Sequence, residues 1–172
     1  AAKLNGILPV IVTVKKMDKP CIALASTDSG AYDEFTDVKV LQSCRDPFDT
    51  YALHKAALLA CGIVPLNREA TLEELLEKLG GGLYLSTAVM GIPRGSGLGT
   101  SSILAGACVK AIFEYIGKEV TENELYTHVL CMEQLMSTGG GWQDQVGGLT
   151  GGIKLVSTKP GLMQNIEVQH LN

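Results

Sequence analysis

The sequence predicts an α+β domain. Three observations carry that prediction. Strand-like runs stand together near the start of the chain, helical segments with clear start and stop signals follow, and the two kinds of element never alternate in the strict order of a doubly wound sheet. With 172 residues, 46% of them hydrophobic, the chain has the length of one domain or a little more and can bury an ordinary core.

The first strand is expected over Ile7–Val14, a run rich in β-branched residues and too short for a secretory signal core. Strands over Cys21–Ser26 and Thr36–Gln42 follow, separated by polar or glycine-containing turns. SCRDPFDTYALHKAALLACG then reads as a helix, with Asp46 as its cap, Pro47 at the first helical position and Gly62 just past its end. Thr71-Leu-Glu-Glu74 has the capping-box pattern, and Leu72, Leu75, Leu76 and Leu79 recur at helical spacing before Gly80-Gly81-Gly82 stops the helix. A strand over Leu83–Met90 feeds the stretch IPRGSGLGTSSILAGA, and a helix over Ser102–Ile116 continues from it. Thr121-Glu-Asn-Glu124 opens a further helix running to about Ser137. After TGGGWQDQVGG come two more strand-like stretches, Gly152–Thr158 and Met163–Leu171.

Composition excludes several classes of function. A net charge of -4 with no basic block argues against a nucleic-acid partner, and no apolar run is long enough to span a bilayer. The five cysteines are odd in number, widely spaced and free of CxxC, which fits a reduced, cytoplasmic protein with no zinc ribbon. His54, His128 and His170 have no ligand-spaced partner and read as structural or solvent-facing.

Gly95, Gly97 and Gly99 fall on alternate positions just before a helix. Glycine loses the most freedom on ordering, so three so close together point to a backbone that something approaches closely. Walker A requires a lysine after its last glycine, and none follows Gly99. The dinucleotide fingerprint and the protein-kinase loop both require GxGxxG, and Thr100 stands where the last glycine belongs. A loop of unpaired amides leading into a helix N-terminus remains a physical anion site. Thr100, Ser101 and Ser102 add hydroxyls that suit phosphate or magnesium. A tight strand-to-helix turn with serine caps fits the same spacing.

A second constellation lies downstream. Glu133 sits at the edge of the apolar stripe formed by Leu125, Val129, Met132 and Met136. A carboxylate there either reaches water or pairs with a cation, and a metal ion would serve. Asp144, in GGGWQDQVGG, is either a turn former beside glycine or a carboxylate placed to take a proton from a substrate hydroxyl. Trp142 could stack on a sugar or simply pack, and Gln143 and Gln145 could bond sugar hydroxyls.

PRGSGLGTSS resembles the second signature motif of the GHMP small-molecule kinases, PxGxGLGSS, from Pro93 through Ser101. Cys131–Gly148, GSGLGTSSILAGA and GGIK at 151–154 are similar to segments of its fucokinase branch, and the likeness runs from about Asp46 to Ser157. That resemblance implies a first domain of the ribosomal protein S5 domain 2 type and a second, ferredoxin-like domain. Residues 1–160 would be a partial ATP-binding domain lacking the first signature motif, and 161–172 the start of a truncated C-terminal domain, the partner missing from this chain. The resemblance assigns Pro93, Arg94, Gly95, Ser96, Gly97, Leu98, Gly99, Thr100, Ser101 and Ser102 to the phosphates of ATP. It gives Ser101 and Glu133 to Mg2+ and Asp144 to the acceptor hydroxyl, with Trp142 and Gln143 beside it. The implied reaction is phosphorylation of the anomeric hydroxyl of L-fucose. Alternatives are a heptose or other sugar kinase of the family, or a relative that senses ligand without turnover. As active sites in this family lie between its two domains, the isolated fragment is expected to be inactive.

Overall fold

The structure, a computed structural model, describes residues 6–92, 99–136, 149, 153–158 and 166–171. It is α+β, as the sequence predicts. Strands β1 (Val10–Met17), β2 (Ile22–Ser26), β3 (Ala31–Phe35) and β4 (Gly82–Val89) form one sheet in the order β1-β4-β2-β3. β4 runs antiparallel to β1 and parallel to β2, and β3 is antiparallel to β2. The helices are α1 (Val38–Leu41), α2 (Ala52–Ala60), α3 (Leu72–Leu79), α4 (Thr100–Tyr115) and α5 (Glu122–Leu135). β5 (Ile153–Thr158) and β6 (Ile166–Leu171) pair with each other as a separate antiparallel ribbon, one strand on either side of the expected boundary at residue 160.

Alternation sets which face of the sheet is covered. In β1, Val10, Val12 and Val14 are half-buried while Ile11, Thr13 and Lys15 are exposed. Val14, Leu85 and Leu24 lie side by side across three strands and join the core with Leu58, Val109, Ile112, Val129 and Met132 from the helices. The opposite face carries polar and aromatic groups. Tyr32 lies against Tyr84, Lys15 sits over the Tyr84 ring, and Glu34 pairs with Lys19.

β4 enters the sheet through a tight passage at Gly82. A Cβ there would lie 2.1 Å from the Lys19 carbonyl oxygen, so only glycine fits beside the β1–β2 turn.

Two expected elements are corrected. Thr36–Gln42 is not a strand; β3 ends at Phe35, and Val38–Leu41 is a single helical turn. Val38-Lys39-Val40 mimics strand alternation, but the Asp37 carboxylate accepts from the Lys39 amide at 2.9 Å and starts a helix. Val38 and Leu41, three residues apart, are then the buried pair, and Val40 faces water. The Asp46-Pro47 signal also misplaces a helix start. Asp46 accepts from the Phe48 amide in a turn, Asp49 accepts from the Tyr51 amide, and α2 begins only at Ala52.

Candidate phosphate and metal site

The first turns of the helices differ. α3 and α5 are capped by Thr71 and Thr121, whose hydroxyls accept from the amides of Glu74 and Glu124. At α5 the Glu124 carboxylate also reaches back to the Thr121 amide at 2.8 Å and completes the box. α4 has no such bond. Its N-cap is Gly99, in the left-handed region at φ 65°, with no side chain to offer. The first intrahelical bond runs from the Ile103 amide to the Gly99 carbonyl, so helix geometry leaves the amides before it without an acceptor inside the helix. The positive end of a 16-residue helix thus carries no side-chain cap.

The hydroxyls of that turn point different ways. Thr100 is half-buried and Ser101 is exposed, while Ser102 is buried at 4% exposure on the stripe shared with Ala105, Gly106, Val109 and Ile112. Ser102 Oγ donates across the helix pair to Glu133 Oε1 at 3.1 Å. Glu133 is half-buried beside Met132, which α5 buries completely. α4 and α5 pack side by side, so residues thirty-one positions apart meet at the open end of α4.

These donors fit magnesium. A carboxylate and a hydroxyl are hard oxygen ligands, and magnesium is usually held by one or two carboxylates with substrate phosphates and water completing its shell. Among the described residues no cluster of three or more His, Cys, Asp or Glu side chains offers an all-protein cage. Glu133 with Ser101 would hold the ion at the helix end, where phosphates would meet the amides.

Pro93 through Leu98 lie outside the described residues, as do Trp142, Gln143 and Asp144. Residues that flank the second stretch are described. Cys44 Sγ donates to the carbonyl of Leu135 at the end of α5. Leu149 packs on α4 at Gly106, where a Cβ would stand 2.0 Å from its Cδ2.

Sequence reasoning treated Ser102 as one more phosphate hydroxyl and did not see it facing Glu133. The available signal was its place on the buried stripe of α4. A polar network beneath the sheet also went unseen. Tyr51 donates to Asp33 at 2.7 Å, and burial with that contact pushes the phenol up to about 12. His54 is buried as a structural residue, with Nε2 2.9 Å from the Ala25 carbonyl and 3.1 Å from Thr87 Oγ1. Burial holds its pKa below the ordinary value. All five cysteines are free, and burial raises the Cys61 thiol to about 12, which makes it inert. The groove lined by Lys110, Phe113, Glu114 and Lys118 lies at the far end of α4, roughly 18 Å from Ser102 at 1.5 Å per residue.

A family model for the N-terminal domain of GHMP kinases matches residues 66–152. The chain belongs to the GHMP kinases. As a GHMP kinase domain it is 40% identical, over 99% of its length, to the L-fucokinase/L-fucose-1-P guanylyltransferase of Bacteroides fragilis, covering 18% of that protein. It is 37% identical, over 98% of its length, to the bifunctional fucokinase/GDP-fucose pyrophosphorylase of Arabidopsis thaliana, covering 15%. The domain thus spans less than a fifth of these curated relatives. Its fold matches a mevalonate kinase with TM-score 0.70 at 16% identity, over 95% of this chain and 46% of that one. A D-glycero-D-manno-heptose 1-phosphate kinase from Bacteroides thetaiotaomicron matches with TM-score 0.67 at 17% identity, over 95% and 48%. No described helix is long and apolar enough to cross a membrane.

Proposed function

We propose that this domain is the phosphate-binding part of an ATP-dependent sugar kinase, one that transfers the γ-phosphoryl group to the anomeric hydroxyl of L-fucose in the salvage of fucose toward GDP-fucose. The observation that carries this reading is the 40% identity to a fucokinase along essentially the whole domain. The start of α4 supports it, because a helix N-terminus whose cap offers no side-chain acceptor suits an anion.

In this reading the amides from Gly95 to Thr100 hold the phosphates, and Ser101 and Glu133 hold Mg2+. Bound there, the ion would offset charge on the β- and γ-phosphate oxygens. Asp144 accepts the proton of the anomeric hydroxyl while that oxygen bonds to the γ-phosphorus and the bond to the β-phosphate oxygen breaks. Trp142 and Gln143 orient the sugar. A second domain closes the site, and the protein works in the cytoplasm.

The test is ADP release and formation of fucose 1-phosphate by a full-length protein carrying this domain, given ATP with L-fucose. Preference for a phosphorylated heptose would move the assignment to another sugar kinase of the family. Binding of ATP and fucose without product would make it a sensor.

A further inference from the structure

Ser102 occupies an unusual position for a helix-start serine. Such hydroxyls ordinarily bond the backbone of their own turn. This one is buried on the apolar stripe of α4, where an unpaired hydroxyl would be costly, and it donates to a carboxylate on a different helix. Its neighbour Ser101 is exposed, and successive helical residues point about 100° apart. The two serines therefore divide the turn. One faces out beside the open amides, and the other faces Glu133.

We propose that Ser102 is a positioning residue for Glu133, its hydroxyl fixing the orientation in which that carboxylate meets a divalent cation, and that it is not a phosphate contact. A donor fixed to the neighbouring helix restricts the rotation of a carboxylate about its last bond. Partners of this kind, one step behind a metal ligand, typically change metal affinity by about 10–100-fold. The inference rests on the reading that Glu133 binds the metal.

The experiment titrates Mn2+ by electron paramagnetic resonance in the presence of ADP, and ADP by calorimetry without metal, on the full-length protein. Ser102→Ala is expected to weaken Mn2+ binding about 10-fold and to leave metal-free ADP affinity within about twofold. Ser102→Cys, similar in shape but a poor donor, gives a similar loss. Ser102→Thr keeps the hydroxyl and restores most of the affinity. In a Glu133→Gln background, Ser102→Ala adds nothing, because the two act as a unit. If Glu133→Gln weakens Mn2+ binding but neither Ser102→Ala nor Ser102→Cys does, Ser102 is structural and the metal reading stands. If Glu133→Gln itself leaves Mn2+ binding unchanged, the metal reading fails and takes this inference with it. Loss of metal-free ADP binding in Ser102→Ala would make Ser102 a phosphate contact after all.

Discussion

α4 and α5 lie against each other, and both begin with a cluster of hydroxyl and polar residues, yet their first turns are built in opposite ways. At α5 the cap closes on itself: Thr121 accepts from the Glu124 amide, and Glu124 returns to the Thr121 amide and hydroxyl. At α4 the cap is a glycine, and the one buried hydroxyl is committed to Glu133 rather than to its own backbone. A helix start that satisfies itself contributes stability and is finished. One that leaves its amides without an acceptor inside the helix can take one from outside, and in the function proposed above that acceptor is phosphate.

The largest effect should come from the residues proposed to carry the chemistry. In the full-length protein, Asp144→Asn is expected to lower kcat by about 10²–10⁴-fold, or roughly 3–5 kcal/mol of barrier, with little change in the Kd for ATP. Steady-state kinetics beside an independent ATP titration would show this. Loss of ATP binding, or a kcat within about twofold, would make Asp144 a turn residue. Glu133→Gln should lower turnover on the order of 100-fold and raise the magnesium requirement, while thermal unfolding stays close to that of the parent. An unchanged magnesium requirement would remove Glu133 from the metal.

Next in size are changes at the two helix starts themselves. Gly99→Ala forces a side chain into the left-handed region, a strain of roughly 1–2 kcal/mol, and it should weaken nucleotide binding as well as stability. Thr121→Ala removes the α5 cap and should cost about 1 kcal/mol, measured by denaturant unfolding, with nucleotide affinity untouched. If Thr121→Ala weakened nucleotide binding as much as Gly99→Ala, the contrast between the two starts would have no functional meaning.

The smallest effect near neutrality concerns His54, remote from both starts. Its ring is buried, with Nδ1 having no hydrogen-bond partner among the described residues, and its folded pKa is held down by burial. The unfolded chain therefore takes up this proton at higher pH than the folded one. His54's contribution is complete above about pH 6.5 and is lost as pH falls below that value toward the folded pKa. Denaturant unfolding between pH 7.5 and 5 should show the decline, and His54→Gln should flatten it.

Where one turn of chain carries the whole signal, the sequence was readable. Thr71 and Thr121 announced α3 and α5 through their own spacing, because a capping bond spans only three residues. The same locality misled at Val38-Lys39-Val40, where alternation was outweighed by the Asp37 cap, and at Asp46-Pro47, where a turn precedes the helix proper. The glycine motif and Glu133 were visible as residue types in a family pattern. That Ser102 meets Glu133 was not, because the meeting depends on how two helices pack, and no local spacing encodes that.

The strand order β1-β4-β2-β3 also bears on how the domain is made. β1 and β2 are neighbours in sequence but never pair, since β4 lies between them and bonds to both. As this stretch is synthesised, β2 and β3 can zip into a hairpin early, while β1, made before them, must wait. The contact of Thr27 with the Thr87 carbonyl bridges sixty residues, so the central gap stays open until α1, α2 and α3 have been synthesised. During that interval β1 and β2 each present a bare edge, the kind of surface that recruits stray strands. The strand that closes the gap is also the last one before the glycine stretch, so the sheet can be complete before α4 and α5 are made and can serve as the surface on which they pack.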